Sequence, residues 1–193
     1  MLHPNIARTR QPQNRRHRAA RIVVLGALVG AIAAPTVAVS EAAARARSTD
    51  ATILELLKDG AERSATFQSL VDAIDHSNGI VYVEFGYCAF GHLNGCLLPH
   101  IAASHGDRYL RILVTPDKNR RTHDQLLALI AHEMRHALEV LAHPEVVDVA
   151  TLEAMYRRIG TPLPGQQAGY ETSAARAAGD AVLSELLRKR AAR

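Results

Sequence analysis

The run from Thr122 to Pro144 constrains this chain more than any other segment. Thr122-His123-Asp124-Gln125 has the form of a capping box, with Thr122 as N-cap and Gln125 at the third helical position. Behind it Leu126, Leu127, Leu129, Ile130, Met134, Leu138 and Leu141 are spread around most sides of a helix, which Pro144 ends. A helix apolar on most sides belongs in a core, so the pattern predicts a central helix around which the other elements pack. That same helix carries His132, Glu133 and His136, polar groups that are costly to bury unless paired or metal-bound.

The flanking segments predict an α+β domain. Helices are expected over residues 50–59 and 64–75, the second with Phe67, Leu70, Val71 and Ile74 on one stripe. Asn78-Gly79 breaks the chain before Ile80-Val81-Tyr82-Val83-Glu84-Phe85, a strand by its β-branched and aromatic content. Residues 96–102 read as a second strand and Arg108–Val114 as a third, with Arg108, Tyr109 and Arg111 suggesting an exposed face or edge. A small antiparallel sheet is the expectation. After the central helix, Pro144 and Glu145 are expected to open a helix that Gly160 stops, and a last helix runs from about Glu171 to Arg190. Residues 41–48 read as a polar spacer.

The basic balance belongs to the first forty residues. They hold six arginines and no acid; removing these from the chain's 23 lysines and arginines leaves 17 basic against 19 acidic residues in 41–193. With 4% aromatic residues and no basic stripe, nucleic acid is excluded as the expected partner. The arginines end at Arg21, an apolar run covers Ile22 to Val39, and Ala38-Val39-Ser40 supplies small residues for cleavage. Residues 1–40 are therefore expected to be a signal peptide or an N-terminal membrane anchor, tethering through residues 22–39 if retained. In both cases residues 41–193 form a single exported domain, periplasmic or extracellular. In such a compartment Cys88 and Cys96 are expected to close a disulfide around the Asn94-Gly95 turn signal, worth about 2–3 kcal/mol; two free thiols in the core are the alternative.

The chemistry is concentrated in His132-Glu133-Met134-Arg135-His136. Residues four apart on a helix project from one face one turn apart, so both imidazoles can reach one zinc ion at about 2.0–2.1 Å. Glu133 is placed to reach a water at that metal without ligating it, as a general base. A third ligand must come from elsewhere. A metzincin would need Gly and His where Glu139 and Ala142 stand, and His143 falls one place late. Glu139 shares the histidines' stripe, but three successive turns of one helix do not readily converge on one ion. Asp148 and Glu153 on the following helix remain open.

Tyr170-Glu171-Thr172-Ser173-Ala174-Ala175, taken with the His-Glu-x-x-His motif, resembles the gluzincin zinc metallopeptidases over residues 122–190. The resemblance implies a zincin-like fold, Glu171 as third metal ligand beside His132 and His136, Zn2+ as cofactor and Glu133 as catalytic base. It also implies an oxyanion-stabilising Tyr or His, for which spacing selects neither Tyr156 nor Tyr170. The strand 108–114 resembles the zincin edge strand that pairs with an extended peptide. One position departs from the pattern: Ala175 stands where gluzincins have an Asp that supports a ligand histidine, and Asp180 is too distant to replace it.

The expected function is that of an exported zinc-dependent peptidase acting on a peptide or protein substrate. Two other readings stay open: a zinc amidase acting on a cell-wall component, and a non-catalytic envelope or interaction domain with a structural or vestigial metal site. Glu133 separates the classes, because a structural zinc has no use for a base and prefers a closed fourth ligand.

Overall fold

The computed structural model describes residues 44–89, 93–116, 121–163 and 169–192. The signal or anchor expected over residues 1–40 lies outside these residues. Among the described residues no helix is long and apolar enough to cross a membrane.

Strand β1 (Ala46–Arg47) leads into helices α1 (Ala51–Arg63) and α2 (Ala65–Asp75) and then strand β2 (Gly79–Phe85). Asp50 caps α1 by accepting from the amides of Thr52 and Ile53. Ser64 ends α1 and caps α2, its hydroxyl accepting from Phe67 N at 3.0 Å. Short strands β3 (Gly95–Leu97) and β4 (Ala102–Ser104) precede the long β5 (Asp107–Val114). Helix α3 (His123–Leu141), α4 (Val149–Ile159), the small ribbon of β6 (Thr161–Pro162) with β7 (Tyr170–Glu171), and α5 (Ser173–Ala191) complete the domain. It is a mixed α+β arrangement, as expected.

The sheet is not antiparallel throughout, which corrects the expected topology. Its order is β1-β2-β5-β3, with β4 also on β5. The β1–β2 and β2–β5 pairs are parallel, and only β3 and β4 run antiparallel to β5. Helices α1 and α2 supply the crossover that the parallel β1–β2 pair requires. Strands β2 and β3 do not pair; they flank β5 on opposite sides. The tight reversal is not at Asn94-Gly95, which opens β3, but at His105-Gly106, where φ is 52° and 88°. Two successive positive φ values suit a two-residue hairpin loop, and Ser104 pairs with Asp107 across it.

Strand β5 is consequently central rather than an edge, correcting that expectation too. Leu110, Ile112 and Val114 face the core, and Arg108 is on the same face at 6% exposure, while Arg111 is exposed. Alternation alone places Arg108 with the exposed charges, because it cannot show a cation's buried partners. Its guanidinium donates to the carbonyls of Val140, Leu141 and His143 and to Asn78 Oδ1, so it closes the C-terminal end of α3.

Helix α3 is the buried centre, with Leu127, Ile130, Ala131, Met134, Ala137 and Val140 fully enclosed. The Thr122–Gln125 capping box is present. Helix α4 begins at Val149, not at Glu145: Asp148 is its N-cap and forms a reciprocal box with Thr151, a stronger start signal than the proline four residues earlier. Helix α5, expected from about Glu171, begins at Ser173, with Thr172 as its N-cap accepting from Ala175 N at 3.0 Å. The residues read as a spacer include β1, too short to show a strand period.

Candidate metal centre

Helix α3 presents His132 and His136 one turn apart, their ring centroids 4.9 Å from each other. Helix α5 brings the third residue by packing closely on α3 through small side chains. Ala175 and Ala178 are buried, and a β-carbon at Gly179 would stand 3.2 Å from the Ala128 carbonyl and 3.4 Å from His132 Cβ. That closeness sets the segment just before α5 over the histidines. Glu171, in β7 and paired with Thr161 of β6, reaches His132 Nε2 at 3.5 Å with Oε2 and His136 Nε2 at 3.6 Å with Oε1. One ligand atom from each of His132, His136 and Glu171 lies within 4.8 Å of the others.

This set could hold a metal ion. Two imidazole nitrogens and one carboxylate oxygen converge, and the donor set is one that suits a divalent transition metal. Asp148 and Glu153 do not take part. Asp148 is committed to Thr151 at the start of α4, and Glu153 pairs with Arg157 at 2.6 Å.

Glu133 lies beside the histidines yet is only 4% exposed. Burial pushes its carboxyl up, the Glu171 charge adds to this, and His136 and the Leu97 amide oppose it, leaving it at about 7. Strand β3 provides the cover. A β-carbon at Gly95 would meet Glu133 Oε1 at 2.7 Å, so any larger residue there would have to displace the carboxylate. The disulfide joining Cys88 and Cys96 anchors the next residue of the same strand.

The two imidazoles differ. Burial and the neighbouring His136 lower the pKa of His132, outweighing Glu171. Burial opposes protonation of His136 as well, but its hydrogen bond to Glu139 and the nearby carboxylates of Glu171 and Glu133 raise it to about 9. The Nδ1 edge of His136 faces Glu139 Oε2 at 2.9 Å and the Tyr156 hydroxyl at 3.3 Å. Burial holds the Tyr156 phenol well above its ordinary value, so it stays neutral.

Sequence reasoning did not identify Glu139, Thr172, Tyr156 or Gly95 as parts of the site. Glu139 carried one readable signal, its i+3 spacing from His136. The others depend on which distant segments meet. Tyr156 lies on the Nδ1 side of His136, away from the nitrogen facing Glu171, and Tyr170 stacks on Tyr156 at 6.1 Å while its hydroxyl accepts from Arg157 Nε. His123 is remote, hydrogen-bonded to Asp59 at 2.8 Å beside a cavity of about 620 Å³ at the opposite end of α3. None of the three converging residues lines that cavity.

Comparison with protein-family models, with curated proteins and with solved structures finds no match to this chain.

Proposed function

We propose that this chain is an exported zinc-dependent peptidase of the gluzincin type, with a zincin-like domain that cleaves peptide bonds by hydrolysis. The observation that carries the reading is a buried carboxyl, Glu133, next to a convergent pair of imidazoles and a carboxylate. A purely structural metal site gains nothing from such a group, whereas general-base catalysis works best with a pKa near the working pH. His132, His136 and Glu171 would hold the metal, the histidines as neutral ligands through Nε2. Zinc, when bound, polarises the scissile carbonyl and lowers the pKa of a water toward about 7. Glu133 would accept a proton from the attacking water as hydroxide adds to the carbonyl carbon, then return it to the amide nitrogen as the C–N bond breaks and the amine leaves. The cover of β3 keeps Glu133 out of bulk water before that transfer.

Metal analysis and peptide hydrolysis on the zinc-reconstituted full chain test the reading. One zinc per chain is expected in wild type, retained in Glu133→Ala with activity lost, and weakened in Glu171→Ala. Wild-type chain that takes up no stoichiometric zinc would overturn it. Zinc binding with turnover of cell-wall amides but not peptides would reassign the substrate, and zinc binding by wild type with hydrolysis of neither would favour a non-catalytic envelope domain.

A further inference from the structure

We propose that Glu139 is a positioning residue that couples the two arms of the metal-ligand set, acting on His136 through Nδ1 and on Glu171 through Thr172. The inference rests on the reading of His132, His136 and Glu171 as metal ligands. Glu139 is 7% exposed, and a carboxylate so enclosed is costly unless its oxygens are paired. Each oxygen has its own partner: Oε2 meets His136 Nδ1 at 2.9 Å, and Oε1 accepts from Thr172 Oγ1 at 2.7 Å.

The first contact fixes the imidazole. A proton held on Nδ1 by a carboxylate leaves Nε2 as the free nitrogen and sets the ring's orientation. Nε2 is the atom that faces Glu171. The second contact fixes the other arm. Thr172 is 3% exposed, and its hydroxyl also accepts from Ala175 N, so Glu139 grips the first turn of α5. The Thr172 amide in turn donates to Glu171 Oε1 at 2.8 Å. One carboxylate on α3 therefore holds a ligand of its own helix and the segment bearing the ligand from β7. Ala175, fully buried, offers no carboxylate; Glu139 delivers one to His136 from three residues along the same helix.

The test is zinc affinity of the full chain, measured by competition with a chromogenic chelator. It is paired with the visible absorption of the cobalt-substituted chain and the melting of the metal-free chain. Glu139→Gln keeps the side chain's volume but cannot accept from both partners. It is expected to weaken zinc about 10–100-fold, and to shift the cobalt bands, while the metal-free chain still folds cooperatively but melts somewhat lower than wild type. Thr172→Val is expected to weaken zinc in the same direction and Thr172→Ser to restore it, because the hydroxyl returns. Since both residues act through one chain of contacts, the double variant Glu139→Gln/Thr172→Val should lose no more affinity than the stronger single. Wild-type affinity and an unchanged cobalt spectrum in Glu139→Gln would overturn the proposal while leaving the ligand assignment intact. If Glu139→Gln fails to fold, equal zinc affinities of Thr172→Val and wild type would overturn it alone. Absence of zinc binding in wild type would overturn both.

Discussion

Gly95 lies against Glu133 so closely that a β-carbon at position 95 would stand 2.7 Å from Oε1 of the carboxylate and 2.9 Å from Leu129 Cδ1. The contact explains why a buried acid on α3 is shielded by a backbone strand rather than by a side chain. It also ties the proposed base to the disulfide, because Cys96 follows Gly95 in β3.

Gly95→Ala should therefore move the Glu133 carboxylate without touching a metal ligand. Overpacking of this kind costs about 1–3 kcal/mol of stability. The proposed base contributes about 10²–10⁴-fold when positioned, and a displaced one should forfeit about tenfold to a hundredfold in kcat. Zinc content should remain that of wild type. Steady-state kinetics on the zinc-loaded variant, with metal analysis alongside, check this; an unchanged kcat would show that β3 does not position Glu133.

How much of the site could be read in advance follows from the range of each interaction. The His132–His136 spacing, the Thr122–Gln125 box and the Cys88–Cys96 pair are local, and each shows in a window of a few residues. Glu171 was reachable only through a motif resemblance, since nothing near it in sequence announces that α5 packs on α3. Glu139 was visible on the histidines' stripe, but its part depends on Thr172, 33 residues away. The sheet was misread for the same reason. Short runs of apolar residues mark strands without saying which pair: the parallel β1–β2 pair is bridged by α1 and α2, and the parallel β2–β5 pair by the connection that carries β3 and β4. Arg108 shows the limit most directly, because its partners are carbonyls, which carry no sequence signature.

Arg108 offers a stability test independent of any activity. Its guanidinium donates to Leu141 O at 2.5 Å, His143 O at 3.0 Å and Val140 O at 3.1 Å; the last two also accept from backbone amides, while Leu141 O is a carbonyl left over at the end of α3. Burial lowers its pKa, partly offset by Glu145, but a guanidinium remains charged at every working pH. Arg108→Met should leave the enclosed Leu141 carbonyl without its donor, while Val140 and His143 keep their backbone donors, and cost about 1–3 kcal/mol. Arg108→Lys should recover only part of that, since one ammonium cannot span the same fork. Urea unfolding of the three chains checks the order. Equal stabilities for lysine and arginine would mean that charge alone, not the fork, closes the helix.

Glu185 gives a pH dependence with a definite sign. Although burial opposes it, hydrogen bonds from Ser64, Thr66 and the Thr66 amide hold its carboxyl below the usual carboxylate range. Oε2 accepts from Ser64 Oγ at 2.6 Å and Oε1 from Thr66 Oγ1 at 2.6 Å, joining α5 to the junction of α1 and α2. A carboxylate whose folded pKa is depressed contributes stability in full above the unfolded value, and that contribution disappears as pH falls through the folded value. Glu185→Gln should thus be less stable than wild type at pH 7 by about 1.5–3 kcal/mol. The gap should narrow as pH falls below about 4.5, because protonation then removes from wild type what the substitution has already removed. Comparing the two chains at each pH cancels the titration of the other acids. A gap that stays constant from neutral to acid pH would mean that the carboxylate's charge plays no part in holding α5 to the α1–α2 junction.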